Sequence, residues 1–211
     1  MKILILPAVF VLSLGSSLLS QDAEKGPERW KSDIAAFSDR DTTSPPPDNA
    51  LLFVGSSSIR LWELEQSWPD QDTINNGFGG STMADMIHYF DALFLPHRPR
   101  AIILYGGDND IPRGLSAKGA RQDFETLASS ITASFPDVPV IFLAIKPSLK
   151  RWEIWPTMEK ANGLIADLCS RNPRWYFADT ATPMLEGVTD APDPSCVVED
   201  GLHLSEEGYE R

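Results

Sequence analysis

Four short stretches carry the side chains that can do chemistry: Gly55-Ser56-Ser57-Ser58, Asn75-Asn76-Gly77-Phe78-Gly79-Gly80, Gly106-Gly107-Asp108-Asn109-Asp110 and Asp200-Gly201-Leu202-His203. Ahead of the first, Leu51-Leu52-Phe53-Val54 reads as a buried strand; the turn itself is uncharged, and an apolar-periodic run then begins as a helix does. A junction of this kind offers small side chains and free backbone N–H groups. Two chemistries fit it: a serine held over a sheet edge as a nucleophile, or hydroxyls and amides cradling a phosphate at a helix N-terminus. The other stretches bear on the choice. Asp200 and His203, three residues apart, can set a carboxylate against one imidazole nitrogen while the other nitrogen faces a distant hydroxyl. Ester hydrolysis needs a hydroxyl nucleophile, a base, an acid to orient that base, and donors for the tetrahedral oxyanion. Each is present once. Singly, each stretch also has a plain structural reading: a capping Asp near a surface His, a turn at Gly107-Asp108-Asn109, a tight loop at Gly77 to Gly80.

The elements that must position these residues alternate regularly. Strands are expected at 51–54, 72–75, 101–105, 138–145 and 175–178. Between them, Thr82 to Leu95 carries Met83, Met86, Ile87, Phe90, Leu93 and Phe94 at helical spacing. Ser116 caps a helix reaching Phe135, with Phe124, Leu127 and Ile131 on its inner stripe, and Glu153 to Arg171 forms another that takes Pro156 in its first turn. The class is therefore α/β, a five-stranded, mostly parallel sheet sandwiched by helices, with 2-1-3-4-5 the expected order. In a parallel sheet all strand exits share one edge, so Ser57, Gly79-Gly80, Asn109, Asp200 and His203 can meet there. His88 falls off the apolar stripe and His97 sits in the Pro96 to Pro99 loop, so both read as surface residues. Trp62, Trp152 and Trp155, near strand exits, either stack on sugar rings or pack in the core, and Lys146 either faces the site or is solvated.

Composition narrows the partners. The 211 residues suit one domain with a sizeable core, and 42% hydrophobic with 23% charged residues is a globular balance. A net charge of −12 without a basic cluster argues against nucleic acid. Met1-Lys2, an apolar run from Ile3 to Leu19 and a small-residue exit read as a secretory signal over residues 1–20, with a retained anchor as the alternative. Residues 21–50 form an arm packed on the domain, with a short helix carrying Trp30, Ile34 and Phe37 expected over 27–37, and residues 51–211 form the main domain. A secreted or periplasmic location follows, with no stable membrane partner once the signal is removed. Cys169 and Cys196 either pair or remain two buried thiols, and no metal-ligand spacing appears. No cofactor is expected, and the oligomeric state is left open. Ser205 caps a helix barely begun at Arg211, so a further C-terminal helix is expected to be missing.

Four blocks in order resemble the SGNH (GDSL-type) hydrolase family from about Leu51 to Gly208. The Gly-Asp-Ser block is matched by Gly55-Ser56-Ser57, the oxyanion-glycine block by Asn75 to Gly80, Gly-x-Asn by Gly107-Asp108-Asn109, and Asp-x-x-His by Asp200-Gly201-Leu202-His203. The resemblance implies a flavodoxin-like α/β/α fold and hydrolysis of esters or thioesters. It also implies Ser57 as nucleophile, His203 as base, Asp200 as its orienting acid, and the Ser57 N–H, the Gly80 N–H and the Asn109 amide as oxyanion donors. Ser56 stands where the family has Asp, which leaves Ser56, Ser57 and Ser58 to be told apart; spacing from Gly55 favours Ser57. The substrate expected is a small-molecule or glycan ester with a short, acetyl-sized acyl group. An acyl-thioesterase or lysophospholipase of the same fold, or a non-catalytic glycan- or phosphate-binding module, is the alternative.

Overall fold

A computed structural model describes residues 26–185, 187 and 191–211, so the segment expected to direct export lies outside the described residues. Five strands form one sheet: β1 (Leu51–Gly55), β2 (Thr73–Gly77), β3 (Ala101–Tyr105), β4 (Val140–Leu143) and β5 (Trp175–Ala178). Their order is β2-β1-β3-β4-β5, as expected, and every pairing is parallel. Because strand side chains alternate between faces, Leu52, Val54, Ile102, Leu104, Val140 and Phe142 feed the main core while Phe53, Ile103 and Tyr105 feed a second, smaller one. Cover on both faces explains why the three central strands, β1, β3 and β4, read as nearly continuous apolar runs.

The helices covering the main core follow from local signals. α6 (Ala117–Ser134) begins where the Ser116 hydroxyl accepts from the Gly119 N–H, and it buries Phe124, Leu127 and Ile131. α7 (Trp155–Cys169) takes Pro156 in its first turn and follows a 3₁₀ stretch over Leu149–Ile154. The helix expected over 82–95 is two pieces, α4 (Met83–His88) and α5 (Phe90–Phe94). They part at Tyr89, whose hydroxyl is held by the Pro27 carbonyl. In the arm, the helix expected over 27–37 is a 3₁₀ turn, Pro27–Trp30, followed by α1 (Lys31–Thr43). Arg40 extends it onto β2 by donating to the Asn75 carbonyl and to Asn76 Oδ1, both at 2.8 Å. The remaining helices are short: α2 (Ser57–Arg60), α3 (Leu64–Ser67) and α8 (Glu206–Glu210).

One expectation is corrected here and two open alternatives are resolved. His97 is not a surface residue; it is 3% exposed, 2.9 Å from Asn76 Nδ2 and 3.7 Å from Asp41, and burial lowers its pKa. Partners from β2 and α1 make that burial tolerable. Trp152 and Trp155 stack on one another at 6.1 Å against the main core, which is the packing alternative of their two readings. Cys169 and Cys196 are separate buried thiols, and burial pushes the Cys169 thiol up to about 11.

Candidate active site

All four stretches end at the carboxyl edge of the sheet. β1 closes at Gly55, Ser56 leaves it in extended conformation, and Ser57 opens α2. Gly77, at the end of β2, lets α2 start close by: a Cβ there would lie 2.3 Å from the Arg60 nitrogen. Gly80 has φ +77°, a conformation that only glycine adopts without strain, and it turns the chain across the front of Ser57. The loop after β3 is braced by Asp110, which accepts from the Gly107 N–H at 2.9 Å and the Met83 N–H at 2.8 Å. Burial raises the Asp110 carboxyl to about 6 despite those bonds.

The three serines have different surroundings. Ser56 Oγ, fully buried, donates to Asp108 Oδ1 at 3.2 Å. Ser58 is buried beside the Tyr105 hydroxyl, away from the imidazole. Ser57 Oγ lies 3.0 Å from His203 Nε2, and His203 Nδ1 lies 2.6 Å from Asp200 Oδ2. An imidazole that donates its Nδ1–H to a carboxylate leaves Nε2 free to accept from the Ser57 hydroxyl. Asp200 is held in turn: its Oδ1 accepts the N–H groups of His203 at 3.0 Å and Leu202 at 2.8 Å. These bonds, first that from the His203 backbone and then that from Leu202, hold its carboxyl well below the usual carboxylate range.

The turn bearing His203 is tied down from behind. Lys146, expected either at the site or in solvent, is 4% exposed and donates its Nζ to the Leu202 carbonyl at 2.7 Å. Burial lowers its pKa. The Lys150 N–H donates to the Gly201 carbonyl at 2.9 Å. On the opposite side of Ser57, Asn109 Nδ2 donates one hydrogen to the Ser81 carbonyl at 3.0 Å, leaving its second N–H unused. The N–H of Ser57, at the first position of α2, has no intrahelical partner.

An open pocket of about 480 Å³ joins these groups; it is lined by Ser57, Gly79, Gly80, Asn109, Leu202 and His203, with Trp30, Asp33 and Arg60 around the mouth. Every residue expected in the site is thus at this edge, and all but Asp200 line the pocket itself. The three mouth residues are additions. Trp30 arrives from the arm, edge-on to Phe78 at 5.7 Å, with its Cη2 3.4 Å from where a Gly80 Cβ would stand. Its only sequence signal was a place among the apolar residues of the arm helix. Trp62 instead lines a neighbouring groove with Trp68 and Tyr209 and stacks on Tyr209 at 5.5 Å. Among the described residues, no group of His, Cys, Asp and Glu gathers as a metal site.

A three-layer α/β/α domain with a hydroxyl–imidazole–carboxylate line at the carboxyl edge of its sheet is an arrangement suited to acyl hydrolysis. Residues 59–211 match the GDSL-like Lipase/Acylhydrolase family, and the chain belongs to it. Solved structures share the fold. A protein of Streptococcus pneumonia named for platelet activating factor aligns with a TM-score of 0.76 and 21% identity over 90% of this chain and 94% of its own. A GDSL-like lipase of Bacteroides thetaiotaomicron aligns with a TM-score of 0.67 and 20% identity over 88% and 92%. A catalytic mutant of an acetylxylan esterase of Geobacillus stearothermophilus aligns with a TM-score of 0.62 and 15% identity over 77% and 89%. No curated protein matches the chain in sequence.

Proposed function

We propose that this protein is an exported serine esterase that removes short acyl groups, acetyl above all, from hydroxyl-rich alcohols such as sugars. The observation that carries the reading is the unbroken line Ser57 Oγ–His203–Asp200, 3.0 and 2.6 Å long, opening on a pocket shared with Gly80 and Asn109. A phosphate cradle would leave that line without a purpose and needs free hydroxyls where Ser56 and Ser57 are already engaged.

In this mechanism His203 Nε2 takes the Ser57 proton as Oγ attacks the acyl carbon. The oxyanion that forms is held by the N–H groups of Ser57 and Gly80 and the unused N–H of Asn109. His203 returns the proton to the departing alcohol, then deprotonates water for attack on the acyl-enzyme, which releases the acid and restores Ser57. Asp200, kept ionised by its backbone donors, holds the imidazole tautomer and stabilises the imidazolium. Short acyl groups suit a pocket roofed beside Gly80 by Trp30, and Asp33 with Arg60 at the mouth offers both an acceptor and donors to a polyol. The acetylxylan esterase among the fold neighbours acts on such an ester. Residues 1–20 serve as the export signal in this reading.

The test is hydrolysis of p-nitrophenyl acetate, butyrate and octanoate, and of acetyl-thioesters, beside Ser57→Ala and His203→Ala. Turnover that falls with chain length and vanishes in both variants is expected. Turnover on thioesters alone moves the protein to the acyl-thioesterases, and none above the variants overturns the enzyme reading.

A further inference from the structure

The connection between β4 and α7 supplies no group to the proposed reaction, yet it touches both halves of the site. Its earlier part holds the histidine turn through Lys146 and the Lys150 N–H. Its later part carries Arg151, whose backbone departs from helical values (φ −120°, ψ 18°) and whose guanidinium turns toward the loop after β3. Nη1 donates to the Asp108 carbonyl and lies 3.4 Å from Asp108 Oδ2; Nη2 donates to Asn109 Oδ1 at 3.0 Å.

The Asn109 amide is keyed by these contacts. Its oxygen faces the cation, and its nitrogen faces the Ser81 carbonyl. A half-turn of the amide would set donor against donor at Arg151 and acceptor against acceptor at Ser81. The observed orientation presents an N–H to developing negative charge; the flipped one would present a lone pair. We propose that Arg151 is a positioning residue whose guanidinium fixes the polarity of the Asn109 amide, so that an N–H faces the oxyanion. The inference rests on the reading of Asn109 as an oxyanion donor. Asp108 keeps the guanidinium in register, because its buried carboxylate is held by Ser56 Oγ on one side and Arg151 on the other. A planar fork is required to reach Asp108 and Asn109 together, and a lysine ammonium is not one.

The test compares wild type with Arg151→Ala, Arg151→Lys, Asn109→Ala and the double alanine variant on p-nitrophenyl acetate, with urea unfolding to give the folded fraction of each. Asn109→Ala is expected to lower kcat by on the order of a hundredfold or more. Arg151→Ala should lower kcat roughly ten- to a hundredfold at nearly constant KM, and by less than about threefold once Asn109 is already alanine. Arg151→Lys should regain stability without regaining kcat. Equal losses in both backgrounds, a loss that follows the folded fraction alone, or full recovery of kcat by lysine overturns the proposal. A wild type no faster than Ser57→Ala overturns the esterase reading instead. The Asn109 side-chain amide resonances then decide the positioning claim: a shift in both Arg151 variants upholds it, and unchanged resonances refute it.

Discussion

Restoring the family residue at position 56 should damage this protein. Ser56 is fully buried and its hydroxyl donates to Asp108, itself 3% exposed. Ser56→Asp sets a second carboxylate within about 4 Å of the first. Two like charges at that distance repel by about 4 kcal/mol at an effective dielectric of 20. The escape is to protonate one of them, which at pH 7 costs about 1.4 kcal/mol for each of the roughly three pH units above a free aspartate, again about 4 kcal/mol. Arg151, 3.4 Å from Asp108, offsets part of this, so about 3 kcal/mol should remain out of a total stability of about 5–15 kcal/mol. The pair's proton affinity is raised in the folded state relative to about 3.9 in the unfolded chain. The penalty is therefore absent below that value and complete only once the pH passes the folded pair's own pKa. Urea unfolding at pH 4.5 and 7.5 measures it: Ser56→Asp should trail wild type markedly at the higher pH and close most of the gap at the lower. Ser56→Ala, which loses one hydrogen bond, should trail by about 1 kcal/mol at both. A Ser56→Asp gap that is the same at both pH values, or absent at both, refutes the repulsion argument.

Three further predictions follow from the same geometry. Trp30→Ala removes the wall beside Gly80, so the ratio of kcat/KM on octanoate to that on acetate should rise on the order of tenfold; an unchanged ratio would mean that Trp30 only packs against Phe78. Asp200→Asn keeps the turn but places an amide beside His203 Nδ1 and favours the wrong tautomer, so kcat should fall on the order of 10³- to 10⁴-fold; a loss below about tenfold would remove Asp200 from the mechanism. Asp110, at about 6 when folded against 3.8 in its ordinary state, keeps a proton that the unfolded chain has released, so its share of stability falls by about 3 kcal/mol as pH rises from 4 to above 6. Wild type minus Asp110→Asn in urea unfolding should show that fall, and parallel pH profiles would contradict it.

The sheet, and the gathering of the candidate groups at one of its edges, were legible because both rest on short-range pattern. Strands alternating with helices give a parallel sheet, and parallel strands bring Ser57, Gly80, Asn109 and His203 to one edge although Ser57 and His203 stand 146 residues apart. What escaped notice depends on which side chain meets which across elements. His97 looked exposed because it sits in a loop between Pro96 and Pro99, whereas its burial rests on Asn76 and Asp41, which only the fold brings beside it. Trp30 looked like arm packing, since nothing local says that the arm crosses the pocket mouth. Arg151 carried no signal, being a basic residue in a loop until Asp108 and Asn109, 43 and 42 residues earlier, are set beside it. The departure at Ser56 belongs with these. A motif position is chosen by its neighbours in space as well as by its neighbours in the chain. With Asp108 buried across from it and a single guanidinium to share, position 56 has room for a neutral donor and none for a second carboxylate.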